Sequence, residues 1–150
     1  MVFHCFINSA LIYNMKVLIL HGPNMNLLGL FSKDRLTLDK LNKSIRKFAN
    51  DKSIEIKICQ TNDKSKYLNY IHQNRNKVDG YILNLGSWHP NAFTIKESLE
   101  IINLPYQIVE NIEFNERLLE ASIFKKKHLI KNKDFIESYN IALIELSNKL

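Results

Sequence analysis

The alternation of short apolar runs with stretches of helical spacing most limits what this chain can fold into. Val17 to His21 is an unbroken apolar run stopped by Gly22-Pro23, the pattern of a strand buried on both faces and followed by a loop. Leu38, Leu41, Ile45 and Phe48 then recur at helical spacing, with Thr37 placed to cap the helix N-terminus. Ile54, Ile56 and Ile58 alternate as in a strand that ends near Gln60. Tyr67, Leu68 and Ile71 mark a second helix, and Tyr81-Ile82-Leu83 a third strand stopped by Asn84-Leu85-Gly86. Pro90 precedes a helix in which Thr94 and Glu97 have capping-box spacing. Pro105 introduces a fourth strand, Tyr106 to Val109. A polar helical stretch near Asn115 to Ala121 comes next, then a short strand around His128 to Ile130. The closing helix carries Phe135, Ile136, Tyr139, Leu143 and Leu146 on one face.

This order predicts an α/β chain of βαβ units: a flavodoxin-like three-layer sandwich with a central parallel sheet of about five strands. A length of 150 residues suits one such domain. The strand pattern starts right after Met15, so residues 15–150 read as the domain. Residues 1–14 read as a disordered extension or a mis-called start; they contain no Lys or Arg and so lack the basic opening of a signal peptide. No apolar run approaches the roughly 18–20 residues that span a bilayer, so no membrane partner is expected. Cys5 and Cys59 make no disulfide framework, and a reduced thiol suits a cytoplasmic location. The net charge of +6 sits largely in Lys125-Lys126-Lys127, Lys131 and Lys133. It reads as compositional drift in a Lys-, Asn- and Ile-rich chain, and a nucleic-acid partner is not expected.

In an open parallel sheet, ligands bind beyond the carboxyl ends of the strands, where the strand order reverses. Here the strand ends are followed by Asn24 and Asn26, Thr61 and Asn62, Asn84, and Asn111. An amide side chain both donates and accepts without charge, so a ring of them suits an oxygen-rich small molecule; Asn also ends strands simply because it tolerates turns. The loop after the first strand lacks the glycine spacing of a dinucleotide site and the Lys-Ser/Thr ending of a phosphate loop. His21, His72, His89 and His128 are isolated in sequence, so no metal site is expected.

The segment Val17-Leu18-Ile19-Leu20-His21-Gly22-Pro23-Asn24-Met25-Asn26-Leu27-Leu28-Gly29 closely resembles the opening strand and loop of type II 3-dehydroquinate dehydratases. Weaker matches continue in order: Gln60-Thr61-Asn62, Tyr70-Ile71-His72, Ile82 to Gly86, Asn111-Ile112 with Glu116 and Ser122, and Ser138 to Leu143. The resemblance implies dehydration of 3-dehydroquinate to 3-dehydroshikimate in the shikimate pathway, with no cofactor. It also implies a homo-oligomer, a trimer or a dodecamer of trimers. In that chemistry a proton is removed next to a ketone, an enolate is held by hydrogen bonds, and a hydroxyl leaves with help from an acid. Asn24 matches the family's Asn near the reacting centre, and Asn84 the one that binds substrate hydroxyls. Glu97 matches an acidic helix residue that reaches a neighbouring subunit's site. Asn111 is expected to bind substrate as well.

The departures are as specific as the matches. The family's base is a lid Tyr activated by an Arg, but the lid here, Leu30 to Leu36, has no Tyr, and Arg35 is out of register. A family His falls on Pro90, with His89 one residue early; His89 is the candidate proton carrier in its place. The acid His expected before the end of the fourth strand is absent from Gln107 to Asn111, and Leu119 replaces a substrate-gripping Arg. Glu110 and Glu113 read as solvated strand-end carboxylates that could substitute as acid or base, with Lys33 or Arg35 as a lid cation. The alternative is a catalytically impaired relative that keeps the fold for ligand binding or assembly.

Overall fold

The computed structural model describes residues 13–149, the side chain of Asn115 excepted. Cys5 and most of the expected extension lie outside the described residues. Five parallel strands form one sheet: β1 (Met15–His21), β2 (Ile54–Gln60), β3 (Gly80–Leu83), β4 (Tyr106–Val109) and β5 (Leu129–Ile130). Their spatial order is β2-β1-β3-β4-β5, the doubly wound order of a flavodoxin-like fold, and every pairing is parallel. The intervening helices are α1 (Leu38–Asp51), α2 (Lys64–Gln73), α3 (Phe93–Ile102), α4 (Ile112–Glu120) and α5 (Phe135–Ser147).

The apolar run of β1 is explained by its central place. Val17, Leu18, Ile19 and Leu20 are all fully buried. Their side chains alternate between the two faces of the sheet. Val17 and Ile19 pack with Leu41 and Ile45 of α1 and Tyr139 and Leu143 of α5. Leu18 and Leu20 pack with Tyr67 and Ile71 of α2 and Ile95 and Leu99 of α3. Both faces are therefore covered by helices, as a parallel sheet requires.

The cap expected at Thr37 is present: its side chain accepts a hydrogen bond from the Lys40 amide at 3.2 Å. The capping box expected at Thr94 and Glu97 is not. Helix α3 begins at Phe93 with Ala92 as its cap residue and no side-chain cap bond, so Thr94 lies inside the first turn. The chain reaches α3 through a 3-10 turn, Gly86–Asn91, that contains Pro90. This turn shifts the start of the helix from where the sequence spacing put it.

Polar side chains inside the core lock the end of β1 in place. His21 is fully buried, with Nδ1 at 3.0 Å from the Tyr139 hydroxyl and Nε2 at 2.8 Å from Asn42 Oδ1. Burial holds its pKa down at about 4, opposed by the hydrogen bond to Asn42. Neutral His21 thus ties β1 to both α1 and α5 just before the loop that carries Asn24. Cys59 is half-buried and unpaired, with its thiol pushed up by burial.

Candidate active site

The strand order reverses between β1 and β3, and a cavity of about 250 Å³ opens beyond their carboxyl ends and that of β4. Each of these strands sends a loop to its wall. The β1 loop contributes Pro23, Asn24 and Met25; the β3 loop Asn84, Gly86 and Ser87; the β4 end Glu110 and Asn111. Phe31 and Phe114 add an apolar wall, their rings 4.5 Å apart.

Close backbone approach explains why the β1 loop opens with glycine. A Cβ on Gly22 would stand 2.5 Å from the Asn84 carbonyl oxygen, so any larger residue would push the β1 and β3 loops apart. Asn24 adopts left-handed backbone geometry (φ 66°), which Asn tolerates better than most residues. Its backbone N–H donates to Asn62 Oδ1 at 2.9 Å. Gln60 Nε2 donates both to that oxygen and to the Gly22 carbonyl. The polar end of β2 therefore holds the Asn24 loop rather than lining the cavity. Among the described residues, neither the Asn24 nor the Asn111 side chain has a hydrogen-bond partner, so both amides are free to meet a ligand.

Glu110 overturns its expected character as a solvated carboxylate: it is only 2 % exposed. Its Oε1 accepts from the Leu85 amide at 2.8 Å and the Gly86 amide at 3.0 Å. Its Oε2 accepts from Asn84 Nδ2 at 3.1 Å and shares the Gly86 N–H at 3.2 Å. Burial pushes the Glu110 carboxyl up to about 8; the Leu85, Gly86 and Asn84 donors pull the other way but do not cancel it. No feature of the sequence around Gln107-Ile108-Val109-Glu110 revealed this, because burial at a strand end depends on the loops that fold over it. Glu113, by contrast, is exposed. It lines a neighbouring cavity of about 480 Å³ with Lys33, Lys40 and Lys133.

The other expected site residues are dispersed. His89 is fully buried and is not among the residues that line the cavity. It sits behind Glu110, with Nε2 4.0 Å from Oε1, and packs edge-on against Phe124. Neither of its ring nitrogens has a hydrogen bond. Burial holds its pKa down at about 4, so near neutral pH the imidazole and the Glu110 carboxyl face each other largely uncharged and form no ion pair. Glu97 is exposed on α3 and does not line this cavity. The lid is a helical turn, Leu28–Phe31, followed by a tight turn, Lys33–Arg35, with left-handed backbone at Asp34 and Arg35. Lys33 faces the neighbouring cavity, and Arg35 lines neither.

The geometry is that of a small-molecule site at the switch point of a 2-1-3-4-5 sheet, and comparison with known proteins agrees. The family model described as "Dehydroquinase class II" matches residues 15–146. The chain belongs to the class II dehydroquinase family. A 3-dehydroquinate dehydratase of Caldicellulosiruptor saccharolyticus is 30% identical over 142 residues, covering 90% of this chain and 98% of that protein. One from Halothermothrix orenii is 31% identical over 117 residues, 72% of this chain and 79% of that protein. The fold is shared with the type II dehydroquinase of Propionibacterium acnes, at a TM-score of 0.77 and 22% identity, covering 91% of this chain and 98% of that one.

Proposed function

We propose that this chain is a 3-dehydroquinate dehydratase, a hydro-lyase of the shikimate pathway that converts 3-dehydroquinate to 3-dehydroshikimate. The observation that carries the reading is the cavity of this family's fold, walled by Asn24, Asn84, Glu110 and Asn111 at adjoining strand ends. The reaction must stabilise an enolate and grip hydroxyl groups, and uncharged amides held on rigid strand ends can do both. Asn24 and Asn111 offer free amides to the ligand. Asn84 is held by donating to the Val109 carbonyl at 3.0 Å and to Glu110, so it is preorganised rather than mobile. The test is direct: adding 3-dehydroquinate to the purified protein produces the ultraviolet absorbance of the enone product. Folded protein that gives no turnover at high concentration removes the reading.

A second reading, a catalytically impaired relative that binds ligand or assembles, is favoured by the lid, which brings no Tyr to the cavity. It predicts a thermal shift with quinate-like ligands and no turnover.

The assembly is proposed to be a homo-oligomer, with Glu97 reaching a neighbouring subunit. Phe93, Glu97 and Ile101 are exposed four residues apart along α3, so they share one helix face. Phe93 is 65% and Ile101 77% exposed, apolar surface that a subunit contact on this face would cover. Light scattering on the eluting protein tests this; a monomer at micromolar concentration rejects it. A cytoplasmic location is proposed on the biosynthetic role; among the described residues no helix is long and apolar enough to cross a membrane.

A further inference from the structure

Beside the catalytic cavity lies a second, larger one of about 480 Å³ that no step of the dehydration uses. Asn111 is common to both walls, and the lid divides them: Phe31 faces the catalytic cavity, while Ser32, Lys33 and Asp34 face the second. Its volume falls in the range of roughly 300–1,000 Å³ typical of small-molecule sites. Three lysines from three separate segments line it: Lys33 of the lid turn, Lys40 of α1, and Lys133 just before α5. Among the described residues their ammonium groups make no ion pair and no hydrogen bond, although surface ion pairs form elsewhere, at Lys16–Glu55 and Lys96–Glu100.

Three carboxylates share this wall, and they limit the ligand. Asp134 is engaged as the cap of α5, its Oδ1 accepting from the Glu137 amide at 3.1 Å. Asp34 of the lid turn and Glu113 of α4 are acceptors that a bare anion leaves unused and that a hydroxyl donor satisfies. Ammonium groups arriving from three segments suit the several terminal oxygens of a phosphate, because lysine acts as a point charge that needs no fixed plane. The lid turn is held in shape from within: Ser32 Oγ donates to the Leu36 carbonyl at 2.6 Å, and the Leu36 amide to the Lys33 carbonyl at 3.3 Å. Inside it Asp34 and Arg35 have left-handed backbone (φ 57° and 52°), which residues other than glycine adopt at a cost and which recurs in segments that clamp ligands.

We propose that this second cavity binds a phosphate group, free or as the monoester of a small polyol, between Lys33, Lys40 and Lys133. The bound anion joins the lid turn to α1 and to the segment that enters α5. The hydroxyls of a monoester donate to Asp34 and Glu113. The lid also carries Phe31 of the catalytic wall, so an occupied second cavity holds that wall in place. Phosphate and substrate then favour each other's binding, by the same factor in both directions. No bond is made or broken in the second cavity, and the binding does not depend on the dehydration.

The experiment follows thermal unfolding of the intact protein with inorganic phosphate or glycerol 3-phosphate, at an ionic strength kept constant with sodium chloride. The expected result is a saturable rise in Tm of about 2 °C or more at about 10 mM ligand. Lys33→Gln and Lys133→Gln should each raise the half-maximal ligand concentration by about tenfold or more, as loss of a charged donor does. Lys96→Gln, on α3 and outside both cavities, should leave it unchanged. The probe that binds more tightly tells whether the ligand is free phosphate or a monoester. Hydrogen exchange of the lid amides, residues 32–36, should slow when phosphate is added. A Tm that follows ionic strength alone overturns the proposal. So does a phosphate shift kept in full by both variants, which places the anion elsewhere. In the enone assay phosphate should lower KM; a KM that rises in proportion to phosphate means competition inside the catalytic cavity and also overturns it. Unfolding and exchange are read without turnover, so a protein that binds phosphate in this way and dehydrates nothing sinks only the activity proposed above.

Discussion

Asn84 Nδ2 donates to Glu110 Oε2 at 3.1 Å and to the Val109 carbonyl at 3.0 Å, joining the end of β3 to the end of β4 at the cavity wall. The same side chain accepts a long bond from the Gly22 amide at 3.4 Å, so it also touches the β1 loop. One amide thus couples the three strand ends that build the site. Asn84→Asp replaces a donor with a second carboxylate against Glu110. Like charges at that distance cannot both ionise readily, so the variant should raise the pH at which the site becomes active. Asn84→Ala removes the bridge and leaves the Val109 carbonyl short of a partner. It should lower stability by about 1–3 kcal/mol and kcat/KM by about a hundredfold or more. Denaturant titration and the enone assay read the two effects; activity within threefold of the unaltered protein would sink the role given to Asn84.

Activity should rise with pH through the titration of Glu110. If the carboxylate is the base, kcat/KM climbs toward a plateau above about pH 8, since this parameter reports the free enzyme. The neighbouring groups do not confuse the profile in this range. His89 is already neutral, with a pKa of about 4. Burial, reinforced by Glu110 itself, pushes Tyr67 and Tyr139 well above 10. A pH profile that is flat from 6 to 9 contradicts this assignment.

Stability should have an interior optimum in pH. The folded pKa of Glu110 is raised, so the folded chain keeps a proton that the unfolded chain has released. That contribution is full below the ordinary carboxylate value of 4.5 and is lost as pH rises toward about 8. The folded pKa values of His21 and His89 are lowered to about 4 from 6.5, so their contribution is present above 6.5 and lost as pH falls toward 4. Two histidines outweigh one carboxyl between these limits. The part of the stability curve set by these groups therefore rises to about pH 6.5 and declines beyond it. Melting temperatures from pH 4.5 to 8.5 check the shape. Glu110→Gln should flatten the decline on the alkaline side.

His89→Phe separates a packing role from a catalytic one. The imidazole is buried with both nitrogens unpartnered and packs edge-on against Phe124, 5.7 Å between ring centroids. Replacing a buried polar ring by an apolar one of similar shape removes a desolvation cost. The variant should melt at the same temperature or higher and keep turnover within about tenfold. A loss of a thousandfold or more, with the fold intact, would instead make His89 the proton carrier its sequence position suggested.

Tyr139→Phe should act on stability rather than on chemistry. It leaves His21 Nδ1 without its 3.0 Å partner in a fully buried position. The expected cost is about 1–3 kcal/mol in denaturant unfolding, with the pH profile of turnover unchanged. A shifted profile would mean that the His21 network reaches Glu110.

The spacing of Leu41 and Ile45, the alternation of Ile54, Ile56 and Ile58, and the apolar run Val17 to Leu20 were enough to order the strands and helices. These patterns are legible because burial of one face imposes its period directly on the residues of one segment. Asn24 after Gly22-Pro23, with Asn84 and Asn111 at later strand ends, marked the rim of the site for the same local reason: turns and strand ends have their own residue preferences. The order of the strands in space also followed, since parallel βαβ units leave few topologies open. Only the tertiary structure decided what became of Glu110 and His89. The sequence offered His89 as a proton carrier and Glu110 as a solvated strand-end carboxylate. The β3 loop covers Glu110 with the Leu85 and Gly86 amides, while His89 is turned inward onto Phe124, which lies 35 residues further along the chain. Burial and electrostatic environment are sums over segments distant in sequence, and no single segment's pattern carries them.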